Sequence, residues 1–249
     1  MLEVRSLAEE QMDAADLDAG TYAKVLRDLA RVNTVTMARR PTLRFLRDVK
    51  AKAAAKRMNE LHAQLGPGHR VRVGPTPLKI LDVGFGDGDM LRKIARWAEP
   101  NWIRPELVGI DLNPKSASIA RAATPDGASI EWLTGDYQTL AGQGWDVIIS
   151  SLVAHHMTQE QLIAFLRFMD VEAKLGWFVN DLHRHSFAYT GYPLLARLMG
   201  VHRIVREDGQ LSIARSYRPA EWEPILADAG VKGEVVRRFP FRLCVQIIR

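Results

Sequence analysis

Beyond residue 78 the chain alternates short apolar runs with amphipathic stretches. The runs at 79–83, 106–111, 128–133, 145–150 and 176–181 predict strands. Several are continuously apolar, as in a sheet covered on both faces. Between them, residues 90–98, 114–123 and 158–172 predict helices, the last with Leu162, Phe165, Leu166 and Met169 on one side. Such alternation implies right-handed crossovers and a parallel, doubly wound α/β sheet. Near the end, Arg218-Pro219 opens a helix with Trp222, Ile225, Leu226 and Ala229 in register, stopped by Gly230. Two strands follow, at 234–239 and 242–248, separated only by Pro240 and Phe241. So short a link holds no crossover helix, and these strands are expected to be antiparallel.

The first 75 residues have another texture. Residues 2–20 carry six acids against Arg5 alone, and residues 39–57 carry eight Lys and Arg against Asp48. Both stretches read as helical, with Tyr22, Val25, Leu26 and Leu29, then Leu43, Leu46 and Val49, at helical spacing. Gly66-Pro67-Gly68 and Gly74-Pro75-Thr76-Pro77 mark a boundary. The expected organisation is a helical cap over 1–75 and a catalytic domain over 76–249. Within the latter, about 184–217 forms a helical insertion, apolar below and basic above through Arg197, His202, Arg203 and Arg206.

Composition narrows the class. The chain has 249 residues, 47% apolar and 25% charged, which suits a soluble globular protein with a proper core. The single cysteine, Cys244, excludes an intrachain disulfide and a Cys-based zinc site. No apolar run is long enough for a membrane span, and the acidic start has no secretory h-region, so a cytoplasmic location is expected. The net charge of +5 admits nucleic acid, an anionic surface or an acidic substrate without choosing among them.

The densest chemical signal is Ile80-Leu81-Asp82-Val83-Gly84-Phe85-Gly86-Asp87-Gly88-Asp89. It follows a strand and opens a helix, where the backbone turns tightly and offers N–H groups to a ligand. Asp111 ends the next strand, where a carboxylate can accept from both hydroxyls of a ribose. Asp136 follows the third strand at the same edge. Asp89 stands where a dinucleotide fingerprint wants its last glycine, and three acids around the loop make a poor pyrophosphate cradle. They suit a ligand with a cationic centre and an ammonium group.

These residues resemble the class I S-adenosylmethionine-dependent methyltransferases over about residues 79–249. The resemblance implies a Rossmann-like, seven-stranded sheet with an antiparallel C-terminal hairpin, and S-adenosylmethionine as cofactor. It implies that Asp82 and the loop of Gly84, Phe85, Gly86 and Gly88 hold the methionine end, with Asp111 on the ribose. Leu112 would pack on the adenine, Asp136 would accept from its amino group, Tyr137 would flank it, and Ser150 would lie near the sulfonium.

After the fourth strand, Ser151-Leu152-Val153-Ala154-His155-His156-Met157 lacks the Asn/Asp-Pro-Pro-aromatic box common for exocyclic amines. Its His pair resembles the segment in small-molecule methyltransferases of the quinone-biosynthesis type. An imidazole could take the proton of an attacking hydroxyl, with His156 favoured over His155 and His183 as a further candidate. A metal site at Asn180 and Asp181 would want an acid where Ser150 and Ser151 stand, so no metal is expected. His185, Tyr189 and Tyr192 are candidate substrate contacts under an aromatic lid. The run from Asn180 through His185 and on to Ser212-Ile213-Ala214-Arg215-Ser216 also looks like bacterial methyltransferases encoded near polyketide synthases. The expected acceptor is a small hydrophobic phenol, pyrone or quinone precursor, methylated on oxygen in preference to carbon. Two rivals remain: an RNA-modifying methyltransferase gripping phosphates through residues 39–57, and a non-catalytic cofactor-binding partner of another enzyme. The acidic start and the lack of a recognisable RNA-binding module weigh against nucleic acid. Oligomeric state is not legible.

Overall fold

The computed structural model describes residues 2–14, 16–65 and 74–249, with the side chain of Leu65 excepted. The Gly66-Pro67-Gly68 break lies outside the described residues. Among the described residues seven strands occur in chain order: β1 (Thr76–Val83), β2 (Ile103–Asp111), β3 (Ile130–Thr134), β4 (Val147–Ser151), β5 (Gly176–Leu182), β6 (Glu234–Arg238) and β7 (Arg242–Ile248). They form one sheet in the order β3-β2-β1-β4-β5-β7-β6. The pairings from β3 to β5 are parallel, whereas β7 runs antiparallel to both β5 and β6. This is the doubly wound sheet with a C-terminal hairpin that the alternation implied.

Among the described residues eight α-helices accompany it: α1 (Ala19–Val35), α2 (Arg40–Leu65), α3 (Asp89–Ala98), α4 (Pro114–Ala123), α5 (Gln159–Glu172), α6 (Ser186–Leu198), α7 (Arg203–Arg215) and α8 (Pro219–Ala229). Their ends follow from sequence. Thr158 closes a capping box with Gln161 at the start of α5, and Gly230, at φ 71°, ends α8. One face of the sheet buries Trp145, Ile148, Phe165, Trp177 and Trp222 beneath α5 and α8. The other buries Ile80, Leu91, Ile94, Val147 and Phe178 beneath α3 and α4. There Phe45 of α2 stacks on Phe178, with ring centroids 4.8 Å apart. The first half of α2 is therefore core; beyond it the helix is exposed almost all round.

The acidic stretch 2–20 is not a helix. Apart from one 3-10 turn at Gln11–Asp13, the described residues up to Asp18 run as an irregular strap against α7 and the turn after β4. Ser6 N–H donates to the Ala214 carbonyl, and Arg5 donates to the carbonyls of His155 (2.7 Å) and Met157 (3.1 Å). Its guanidinium also lies 4.4 Å from the centroid of Tyr217. Asp208 of α7 accepts from the backbone of Gln11 and Met12. Arg5, Glu10 and Asp13 of this stretch find partners far along the chain, so their spacing does not require the backbone to coil.

Candidate active site

The turn from β1 into α3 places Gly84, Gly86 and Gly88 at φ 75°, 58° and 77°, a region that favours glycine. Two of them also permit close approach: a Cβ on Gly84 would lie 2.3 Å from Val153 Cγ2, and one on Gly88 2.3 Å from Trp132. Asp111, at the end of β2, braces the loop. Its Oδ2 accepts from Gly86 N (2.9 Å) and its Oδ1 from Asn113 N (2.8 Å). Burial pushes this carboxyl up, and those two backbone donors partly offset it.

Asp82 is 1% exposed, and its Oδ1 is buried without a hydrogen-bond partner. Burial, with Asp89 and Asp111 nearby, holds its carboxyl well above the usual range. The neighbouring acids already have cations: Asp87 pairs with Arg92 at 3.0 Å, and Asp89 with Arg39. Of these three acids, Asp82 is the one left facing the cavity with an unanswered acceptor, the complement of an ammonium group.

Across the cavity, β4 leads into the 3-10 turn Ala154–His156. His155 is 2% exposed and stands between two carboxylates, Asp181 Oδ1 at 2.7 Å from Nδ1 and Glu10 Oε1 at 3.5 Å from Nε2. Burial lowers its pKa, but Asp181 and Glu10 more than offset this and raise it to about 9. His155 is accordingly an imidazolium at neutral pH. His156 is less enclosed: its Nδ1 lies 2.9 Å from Asp13 Oδ2, and its Nε2 lies 3.8 Å from Glu10 Oε2. Glu10 also accepts from Ser212 Oγ at 2.8 Å. Glu10, His155 and His156 offer ligand atoms within 4.8 Å of one another, the one such set among the described residues. Arg215 Nε, 3.8 Å from Glu10 Oε1, already places a positive charge there, which disfavours a metal cation.

A cavity of about 830 Å³ joins these groups, large enough for a cofactor together with a small acceptor. It runs from the glycine loop to the His pair, roofed by apolar residues of α1, α6 and the β6–β7 turn, among them Leu29, Phe187, Leu195 and Phe241.

The chain superposes on the plantazolicin methyltransferase BpumL in complex with SAH, with 15% identity over 69% of this chain and 76% of that one and a TM-score of 0.52. It superposes on LepI in complex with SAM, with 19% identity over 76% of this chain and 46% of that one and a TM-score of 0.50. A SAM dependent methyltransferase from Aquifex aeolicus gives 18% identity, 70% and 83% coverage, and a TM-score of 0.50. At these identities the likeness is one of fold. No curated protein matches the chain in sequence. Residues 80–171 match the family described as a methyltransferase domain. The chain carries a methyltransferase domain.

The fold brings together most of the residues that the sequence singled out. Asp82, Gly84, Phe85, Gly86, Asp111, Leu112, Tyr137, His155, His156 and Tyr192 all line the cavity. Leu112 is 75% exposed, a free apolar surface at the mouth. Tyr137 is held edge-on between Phe165 and Phe168, at 4.9 and 4.8 Å. Tyr192 lies beneath the lid, its hydroxyl donating to the Val205 carbonyl at 2.7 Å. Other residues stand outside the lining. Gly88 shapes the loop from behind, against Trp132. Asp136 is exposed and caps the 3-10 turn after β3 through Gln138 N, at 2.9 Å. Ser150 donates to the Val83 carbonyl at 2.9 Å and is buried. Its neighbour Ser151 faces the cavity instead, with an Oγ that has no partner. His183 and His185 sit 5.5 Å apart beyond the wall; burial, and then the positive groups around it, lower the pKa of His183. His185 caps α6 through Phe187 N, and the Tyr189 carbonyl accepts from Gln210. Glu10, Asp13 and Arg242 escaped sequence reasoning. The first two were hidden in a charge run, and Arg242 in a strand.

Asp111→Ala is expected to weaken SAH binding by about 10- to 100-fold in calorimetry, the loss of one or two charge-assisted hydrogen bonds. An unchanged affinity would remove Asp111 from the cofactor site.

Proposed function

We propose that this methyltransferase methylates an oxygen, or in second place a carbon, of a small hydrophobic acceptor. The supporting observation is the continuous cavity that runs from the unpaired Asp82 carboxyl to the His pair beneath an apolar roof. S-adenosylmethionine, when bound, supplies an electrophilic methyl group on a sulfonium. Asp82 would answer the ammonium group, and Asp111 and the glycine loop would fix the ribose end. Leu112 and Tyr137 offer apolar surface for the adenine. The strap of residues 2–14 and the insertion α6–α7 act as a lid that excludes water and confines the acceptor.

His156 is the base in this reading. Asp13 accepts from its Nδ1–H, which leaves the Nε2 lone pair to take the hydroxyl proton of the acceptor. His155, held as a cation, stays with Asp181 and Glu10 and fastens the strap over the turn.

The test is a radiolabelled-methyl assay against phenols, pyrones and quinone precursors, with bulk RNA alongside. Label in one of the small acceptors is expected, with none in RNA. Label in RNA alone, with binding that falls steeply with salt, would overturn the reading. Three basic side chains of residues 39–57 are engaged within the fold: Arg39 with Asp89, Lys50 with the Asn101 carbonyl and Lys52 with that of Ile248.

A further inference from the structure

Arg242 opens β7 opposite Leu182, at the carboxyl edge of β5. Its side chain lines the cavity beside Leu182, Phe239 and Phe241, yet the residue is only 3% exposed. Its Nη1 is buried and has no hydrogen-bond partner. The acids that bear on it electrostatically are Asp181 and Asp89. Both are committed elsewhere, Asp181 to His155 and Asp89 to Arg39. A buried guanidinium without a close counter-charge is costly, and side chains of this kind are ordinarily answered by a carboxylate or a similar anion. Burial lowers the Arg242 pKa, but a guanidinium does not give up its proton in a protein. No described residue supplies the partner, and the cavity admits one from outside the chain.

We propose that Arg242 is an anion-recognition residue of the cavity and that its ligand is a carboxylate, taken in fork geometry by the guanidinium. The inference rests on the reading of this cavity as the cofactor and acceptor site. Two occupants carry that chemistry. One is an acidic aromatic acceptor, whose apolar body would lie against the Phe239–Phe241 wall. The other is the methionine carboxylate of the cofactor.

Binding measurements on the full chain separate them without requiring turnover. The probes are SAH, its decarboxylated analogue, and sodium benzoate with neutral benzamide added to SAH-saturated protein. They are read by calorimetry and thermal shift on wild type, Arg242→Met and the charge-retaining Arg242→Lys. With an acidic acceptor, wild type is expected to prefer benzoate to benzamide by about 10- to 100-fold. That preference would vanish in Arg242→Met and partly return in Arg242→Lys. With the cofactor as source, Arg242→Met weakens SAH by a similar factor while the decarboxylated analogue binds both proteins equally. The proposal is overturned if wild type shows neither preference, or if Arg242→Met retains whichever one it shows. Selective carboxylate binding by a protein that methylates none of the small acceptors would sink the proposed function and leave Arg242 standing.

Discussion

His156→Ala is expected to lower turnover on the methylated acceptor by about 10²- to 10⁴-fold, the range for removing a general base, with SAH affinity little changed. The two histidines of the pair differ in kind, although they are adjacent and their rings lie 4.2 Å apart. His155 is enclosed by Asp181 and Glu10 and raised to about 9, so at neutral pH it has no lone pair to offer. His156 lines the same cavity with Asp13 2.9 Å from Nδ1 and Glu10 farther off, 3.8 Å from Nε2, so in the proposed reading Nε2 takes the proton. Asp13→Asn should then also reduce turnover, since an amide that donates to Nδ1 would move the ring proton to Nε2, the wrong tautomer for a base. Single-turnover rates with saturating cofactor would check both. A loss below about tenfold for His156→Ala would assign the ring to shaping the pocket.

Where the fold depends on local pattern it was legible from residue types. The two-residue link between β6 and β7 dictated an antiparallel pair, and β7 begins and ends at 242 and 248 as its apolar pattern indicates. Pro219 and Gly230 bracket α8 for reasons internal to that segment. Boundaries shifted where a partner extends the ladder: β1 begins at Thr76 rather than residue 79 because Thr76 pairs with Ile103. The strap failed for the opposite reason. Residues 2–20 were read as helical together with the apolar spacing that starts at Tyr22, but Glu10 is 3% exposed because Ser212 and Arg215, some 200 residues downstream, receive it. Periodicity carries no information about such partners.

The site divides along the same line. The glycine loop and Asp111 were readable because tight turns and strand-end carboxylates are local devices. Ser150 and Ser151 show how fine the remaining distinction is. Alternate residues of a strand face opposite sides, so Ser150 bonds into the sheet core while Ser151 reaches the cavity. Placing the end of β4 one residue early exchanges their roles. Arg242 stayed hidden because an arginine at the start of an exposed hairpin ordinarily snorkels to water. Here the residue is instead 3% exposed, at the cavity wall.

Asp181→Ala is expected to destabilise the protein by about 3–5 kcal/mol at pH 7, the cost of removing one member of a buried ion pair. Asp181 accepts from His155 Nδ1 at 2.7 Å, from His155 N at 2.9 Å and from Leu182 N at 2.7 Å. It is 2% exposed, so water cannot easily replace it. Burial raises its pKa, but the His155 charge and these hydrogen bonds more than offset that and hold it below the usual carboxylate range. The pH dependence distinguishes this pair from a simple packing defect. His155 titrates near 9 when folded and near the ordinary 6.5 when unfolded. A raised folded pKa contributes stability that is fully present below about pH 6.5 and is lost as pH rises through about 9. Urea midpoints of the wild type should therefore fall across that window, whereas those of Asp181→Ala should fall less, so the gap between the two proteins narrows with rising pH. On the acid side Asp181 contributes stability above its unfolded pKa that is lost as pH falls below it. A gap that stays constant from pH 6 to 10 would mean that His155 is not charged in the folded protein. The strap would then rest on Arg5, Asp208, Ser212 and Arg215 rather than on a charged His155.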